Sequence, residues 1–193
     1  MPDFHLEQSL EKTVIGVDEV GRGPIAGPVT AAAVVLNNNA LKGLADSKVL
    51  SPNKRDHLNN LIKGSSIAWS IAFISSKKID TINILQASLL AMKNAIEGLK
   101  VKPDEIYIDG LYKPDLCIKS RTIVQGDSKE KAIMAASIIA KVARDKFMIE
   151  LDKKYPDYGF KNNKGYPTEF HLKALKMYGP CKEHRASFRH LKK

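Results

Sequence analysis

Apolar residues run nearly unbroken through Thr13 to Val17 (TVIGV) and again through Pro28 to Leu36 (PVTAAAVVL), and the stretch between them, GRGPIAG, is made largely of glycine and proline. Short apolar runs bounded by such residues predict two strands joined by a tight turn, because glycine and proline punctuate sheets rather than extend them. Residues 66–74 (SIAWSIAFI) place Ile67, Trp69, Ile71 and Phe73 on alternate positions with Ala68, Ser70 and Ala72 opposite, the period of two of a third strand. Ser51 and Pro52 then predict the start of a short helix that stops at Gly64. In NILQASLLAMKNAIEG, residues Ile84, Leu85, Ala87, Leu89, Met92 and Ile96 recur at helical spacing up to Gly98.

Farther along, Glu105 to Asp109 (EIYID) and Lys119 to Val124 read as a fourth and a fifth strand. A long helix follows from about Lys129 to Lys154, carrying the small residues Ala132, Ala135, Ala136, Ser137, Ala140 and Ala143. Helical signals near Glu169 to Met177 and Lys182 to Ser187 are separated by the Gly179-Pro180 break. Three leading strands, then strands alternating with helices, predict an α/β layer architecture. Residues 1–193 read as one domain, with a C-terminal helical appendage from about residue 155.

Composition narrows the picture. A chain of 193 residues, 44% hydrophobic and 27% charged, is long enough to fold around its own core and has neither disordered nor disulfide-scaffold character. Cys117 and Cys181 lack metal-ligand spacing and read as free thiols of a reducing compartment. The opening MPDFHLEQSLEK lacks the pattern of a signal peptide, and no apolar run approaches the roughly 20 residues of a membrane span. A cytoplasmic protein is therefore expected, without a membrane partner. The formal charge of +10 favours a polyanionic partner such as nucleic acid, although charge alone also serves solubility.

Candidate chemistry lies in the carboxylates. Asp18 and Glu19 follow the first predicted strand and Asp109 ends the fourth, and the carboxyl ends of strands form the rim of a crevice in α/β sheets. If those strands are neighbours the carboxylates converge, and two charges about 4 Å apart repel by about 4 kcal/mol at an effective dielectric near 20, which calls for a proton or a cation. Oxygen donors suit Mg²⁺ or Mn²⁺ rather than zinc. Each residue also has a plainer explanation. Asp109 before Gly110 fits a turn former, and Asp127, three residues before Glu130, fits a helix capping box. Asp18 and Glu19 point to opposite faces of a regular strand, so sharing a site requires a bend.

The ordered set VIGVDEVGRGPIAGPVTAAAVVL, DSK at 46–48, YIDG at 107–110, GDSKEKAIMAASIIAKVARD at 126–145, KGYPTEFHLKAL at 164–175 and RASF at 185–188 resembles the bacterial ribonuclease HII family over nearly the whole chain. The resemblance implies a ribonuclease H-like fold, with a mixed five-stranded sheet flanked by helices and the first and fourth strands adjacent. It implies an endonuclease that hydrolyses the RNA strand of RNA–DNA hybrids and incises duplex DNA 5′ of an embedded ribonucleotide, leaving 5′-phosphate and 3′-hydroxyl ends. Asp18, Glu19, Asp109 and Asp127 match its catalytic acids and would bind two Mn²⁺ or Mg²⁺ ions roughly 3.5 to 4 Å apart. Gly21, Arg22 and Gly23 match the turn that reads the 2′-hydroxyl, the group that distinguishes RNA from DNA. Tyr166 matches a residue that stacks on the sugar after the ribonucleotide. Lys48 and Lys164 are candidate phosphate contacts, and His171 fits either a cap or a phosphate ligand. Many relatives carry His where this chain has Asn163, which touches a contact near the substrate but not the metal ligands. A monomer is expected.

Two alternatives compete with this expectation. The ribonuclease HIII type shares these motifs but carries an additional N-terminal domain, for which the 17 residues before Asp18 leave no room. A non-catalytic RNA-binding module would need aromatic platforms on its strands, and only Tyr107, Trp69 and Phe73 are available for that role.

Overall fold

The structure, a computed structural model, describes residues 13–37, 51–189 and 191. Among them, strands β1 (Val14–Val20), β2 (Val29–Val35), β3 (Ala68–Ile74), β4 (Glu105–Asp109) and β5 (Ser120–Ile123) form one mixed sheet in the order β3-β2-β1-β4-β5. β1, β2 and β3 pair antiparallel, while β1 with β4 and β4 with β5 pair parallel. Helices α1 (Pro52–Ser65), α2 (Ser76–Glu97), α3 (Lys131–Lys154), α4 (Phe160–Asn163) and α5 (Glu169–Tyr178) complete the architecture. This is the expected ribonuclease H-like arrangement, with the first and fourth strands side by side.

The apolar run of β2 follows from cover on both faces. Its odd-numbered residues Val29, Ala31, Ala33 and Val35 pack with Ile15, Val17, Ile106 and Ile108 against Ala87, Ala91, Met92 and Ala95 of α2. Its even-numbered Ala32 and Val34 face Met134, Ala135, Ile138 and Ile139 of α3 and Ile62 of α1. A strand buried on both sides loses the alternation of a half-exposed one. α3 lies unusually close to β1, since a Cβ on Gly16 would fall 2.0 Å from the carbonyl carbon of Ala132. Gly16→Ala is therefore expected to destabilise the protein by about 1–3 kcal/mol or more, because a backbone cannot yield as a side chain can. Urea titration of the variant checks this, and an unchanged midpoint would contradict the packing.

Several boundaries differ from expectation. β1 continues through Asp18 and Glu19 to Val20 because β2 keeps pairing with it as far as Thr30. α1 passes through Gly64 and ends at Ser65, with Ser51 as its N-cap as expected. α2 starts seven residues before the predicted Asn83, where Ile79 and Ile82 stand in a polar run too sparse to show a period. Asn83 itself breaks the helix (φ 65°, ψ 167°) and caps the second stretch by accepting from the Gln86 amide. α3 begins at Lys131 rather than Lys129. On β3, an edge strand, the large residues Trp69 and Phe73 are exposed; Lys63 lies over the Trp69 ring and Phe147 stacks on Phe73.

The predicted helix over Lys182–Ser187 does not form. That segment runs back to the loop after β1: the Arg185 amide donates to Ile25 O and the Gly27 amide to Glu183 O, each at 2.8 Å, and Ala26 bridges to His184. Asp80 of α2 anchors the other side by accepting from the Ala186 and Ser187 amides and the Ser187 hydroxyl. Tertiary pairing here satisfies backbone groups that a helical turn would otherwise have satisfied. Cys117 and Cys181 are free thiols. No helix among the described residues is long and apolar enough to cross a membrane.

Candidate active site

The β1–β4 register pairs Val17 with Ile108, so the next residues, Asp18 and Asp109, emerge side by side where the pairing of these two strands ends. Asp18 is buried, and burial, followed by the charges of Glu19 and Asp109, holds its carboxyl well above the usual carboxylate range. The Ser137 side chain of α3 and the Glu19 amide, 2.7 Å from Asp18 Oδ1, oppose that rise only in part. Burial also raises Glu19, against the pull of Arg22, whose guanidinium lies 3.2 Å from Oε1, while Asp109 adds to the rise. The charge of Asp109 thus reaches both neighbours although they are consecutive on a strand.

Asp109 Oδ1 accepts the Gly126 amide at 2.7 Å, and Gly126 opens a 3-10 turn, Gly126–Ser128, on which Asp127 is buried. Asp127 therefore adjoins the trio through its neighbour Gly126. The N-cap position of α3 is Glu130, three residues beyond it. Among the described residues no three Asp, Glu, His or Cys side chains already stand in the tight grouping of a formed metal centre, so sharing an ion requires the carboxylates to turn toward it. Their chemistry fits a hard divalent cation. They are oxygen donors crowded where the β1–β4 pairing ends, and their mutual repulsion is what such an ion would relieve.

The GRG turn lies directly beside them. Gly21 has φ 90°, a left-handed conformation that favours glycine, and a Cβ there would also strike the Arg144 side chain at 2.1 Å. Two fully buried arginines hold this turn and the loop that follows it. Arg185 donates to Gly21 O (2.7 Å), Arg22 O (3.1 Å) and Gly27 O (2.9 Å). Arg144 donates to Pro28 O (2.9 Å), Ala26 O (3.2 Å) and Lys164 O (3.0 Å). Burial lowers their pKa values to about 10 for Arg144 and about 9 for Arg185, so both remain cationic at neutral pH. Sequence reasoning missed both. One signal was available: Arg144 stands at four-residue spacing between Ala140 and Met148 on the buried face of α3, where a charge requires partners.

The KGY segment closes over the turn. Ile25 donates to Gly165 O at 2.8 Å, and Gly165 (φ 84°) packs so near Ala26 that a Cβ would lie 2.4 Å from its carbonyl oxygen. The Tyr166 ring is 44% exposed and stands against Gly23, where a Cβ would lie 3.4 Å from Cε1. Asn163 braces the segment from within, accepting the Gly165 amide and donating to Tyr158 O. The Lys164 ammonium folds onto Lys161 O, and burial lowers its pKa. Lys48 lies outside the described residues. His171 is neither a cap nor placed for phosphate: Thr168 caps α5, and the His171 ring is fully buried. The structure thus brings together Asp18, Glu19, Asp109, the GRG turn and Tyr166, with Asp127 adjoining.

Comparison with known proteins gives the same picture. A family model described as Ribonuclease HII matches residues 15–191. The chain is 49% identical over 190 residues to a ribonuclease HII of Caldicellulosiruptor bescii, covering 96% of this chain and 92% of that one. It is 50% identical over 194 residues to one of Vibrio campbellii, covering 100% and 91%. Among solved structures, the ribonuclease H2 of Pyrococcus horikoshii superposes with a TM-score of 0.78 at 27% identity, covering 93% of this chain and 95% of that one.

Proposed function

From the premise that this chain belongs to the ribonuclease HII family, and is accordingly a ribonuclease H endonuclease acting on RNA–DNA hybrids, we propose that it also incises duplex DNA on the 5′ side of a single embedded ribonucleotide. The observation supporting this reading is the adjacency of three features: crowded carboxylates, the arginine-braced GRG turn and an exposed tyrosine against Gly23. Asp18, Glu19, Asp109 and Asp127 would hold two Mn²⁺ or Mg²⁺ ions, which when bound supply charge at the reacting phosphate and activate the attacking water.

The chain's own groups do the recognition. Arg185 and Arg144 take the carbonyls of the loop inward, leaving the peptide N–H groups of Gly21 to Gly23 to meet a 2′-hydroxyl without a Cβ in the way. Tyr166 stacks on the sugar that follows, and so registers an RNA-to-DNA junction. Arg22 holds Glu19 from the turn side. Lys48 and Lys164 contact flanking phosphates, for which Lys164 has to leave Lys161 O. The products carry 5′-phosphate and 3′-hydroxyl ends, and residues 1–193 act as a single catalytic unit and a monomer.

A duplex with one ribonucleotide, incubated with the purified protein with and without chelator, tests the reading. One metal-dependent nick 5′ of the ribonucleotide is expected, with none on all-DNA duplex; cutting that ignores the chelator or the ribonucleotide contradicts it. If about five phosphates are neutralised, log K for duplex falls with log[salt] at a slope of about −4.5. A slope near zero would mean that the net positive charge of the chain does not face the substrate.

A further inference from the structure

Two buried histidines form a hydrogen-bonded chain that ends beneath Tyr166. The Cys181 amide donates to His184 Nδ1 at 3.0 Å, so the proton of a neutral His184 is on Nε2. That nitrogen lies 3.0 Å from His171 Nε2, which must then accept, leaving the His171 proton on Nδ1, where it donates to Tyr166 O at 2.8 Å. One arrangement of protons satisfies all four ring nitrogens. Burial favours the neutral rings this arrangement needs, lowering His171 and taking His184 down to about 4. Tyr158 and Phe160 pack around both rings, a site where two apolar side chains would fill the same space without a buried polar chain to satisfy.

The far end of the chain is tied to the other recognition turn. His184 is followed by Arg185, which holds Gly21 and Arg22 by their carbonyls. Tyr166 is 44% exposed, so its aim depends on its peptide as well as on packing, and that peptide is held by Asn163 O at the amide and by the Thr168 amide and His171 at the carbonyl. We propose that His171 and His184 are positioning residues that fix Tyr166 at a set distance from the GRG turn and so tune selectivity for a ribonucleotide-to-DNA junction. The inference rests on the assignment of Tyr166 to the sugar after the ribonucleotide.

Side-chain geometry provides the test. His171→Asn places an amide N–H near the lost Nδ1 and keeps the bond to Tyr166 O, whereas His171→Gln reaches toward Nε2 and gives that bond up. Steady-state kinetics are measured on a single-ribonucleotide duplex and on a uniform RNA–DNA hybrid, with Tyr166→Ala and the double variant alongside. His171→Gln is expected to raise KM on the single-ribonucleotide duplex roughly three- to tenfold, the scale of one hydrogen bond, with kcat and the hybrid little changed. His171→Asn restores most of that loss, and in the Tyr166→Ala background the effect of His171→Gln disappears. Equal losses on both substrates, or full additivity with Tyr166→Ala, would show a merely structural role and overturn the inference. If Tyr166→Ala fails to separate the substrates, the Tyr166 assignment falls and the inference with it; if it separates them and His171→Gln does not, the inference alone falls. Should the Gln variant not fold, nitrogen-15 imidazole spectra of the native protein decide, since any tautomers other than Nδ1–H on His171 and Nε2–H on His184 overturn it.

Discussion

Asp18→Asn is expected to lower turnover by at least roughly a thousandfold while leaving affinity for the RNA–DNA hybrid nearly intact, because under the proposed two-ion reading it would withdraw charge from the ions and not from the basic surface. The same substitution should act oppositely on stability. Burial and the charges of Glu19 and Asp109 raise the Asp18 carboxyl above its unfolded value of 3.8. A group raised in this way contributes its stability below the unfolded pKa and loses it as pH rises through the folded one. At neutral pH, above the unfolded value, the group therefore costs the metal-free fold stability, and Asn, of nearly the same shape, relieves that cost. In chelator the variant should melt above the parent. With Mn²⁺ the order should reverse, because an ion that binds the folded parent stabilises it by mass action. Near-normal turnover, or a melting order indifferent to metal, would remove Asp18 from the ligand set.

Arg185→Met is expected to cost about 3–5 kcal/mol, the scale of stranding buried polar partners. The side chain is fully buried, and its loss leaves Gly21 O, Arg22 O and Gly27 O without their donors. At about 2–4 °C per kcal/mol for a protein of this size, Tm should fall by about 10 °C. Arg185→Lys should recover only part of this, since a single ammonium cannot span three carbonyls as the planar guanidinium does. Activity of the Lys variant, assayed well below its melting point, should remain depressed because the GRG turn is no longer held. A Tm within about 2 °C of the parent for Arg185→Met would show that those carbonyls find other partners and that the brace is dispensable.

Contacts within the chain explain which parts of this were legible beforehand. The strand EIYID and the helix through the alanines of α3 are spelled by local apolar pattern, and both occur close to where that pattern puts them. The acids were visible because carboxylates at the ends of apolar strands are costly without a purpose. Their convergence followed from the family resemblance and not from local pattern, since it depends on β1 lying beside β4, residues about ninety apart in the chain. Asp127 resembled a cap by spacing, yet α3 starts beyond it, because the Gly126 amide goes to Asp109 and the chain turns there first.

The amino-acid sequence by itself determined the strands, most helices, the basic character and the candidate acidic residues, because hydrophobic period and residue type act over a few positions. Only the tertiary structure decided that the 182–187 segment forgoes a helix, that Arg144 and Arg185 are interior braces and that His171 faces His184. Each of those depends on which distant carbonyl or ring nitrogen completes a buried hydrogen bond, and a buried polar group takes its partner from wherever the fold brings one within reach.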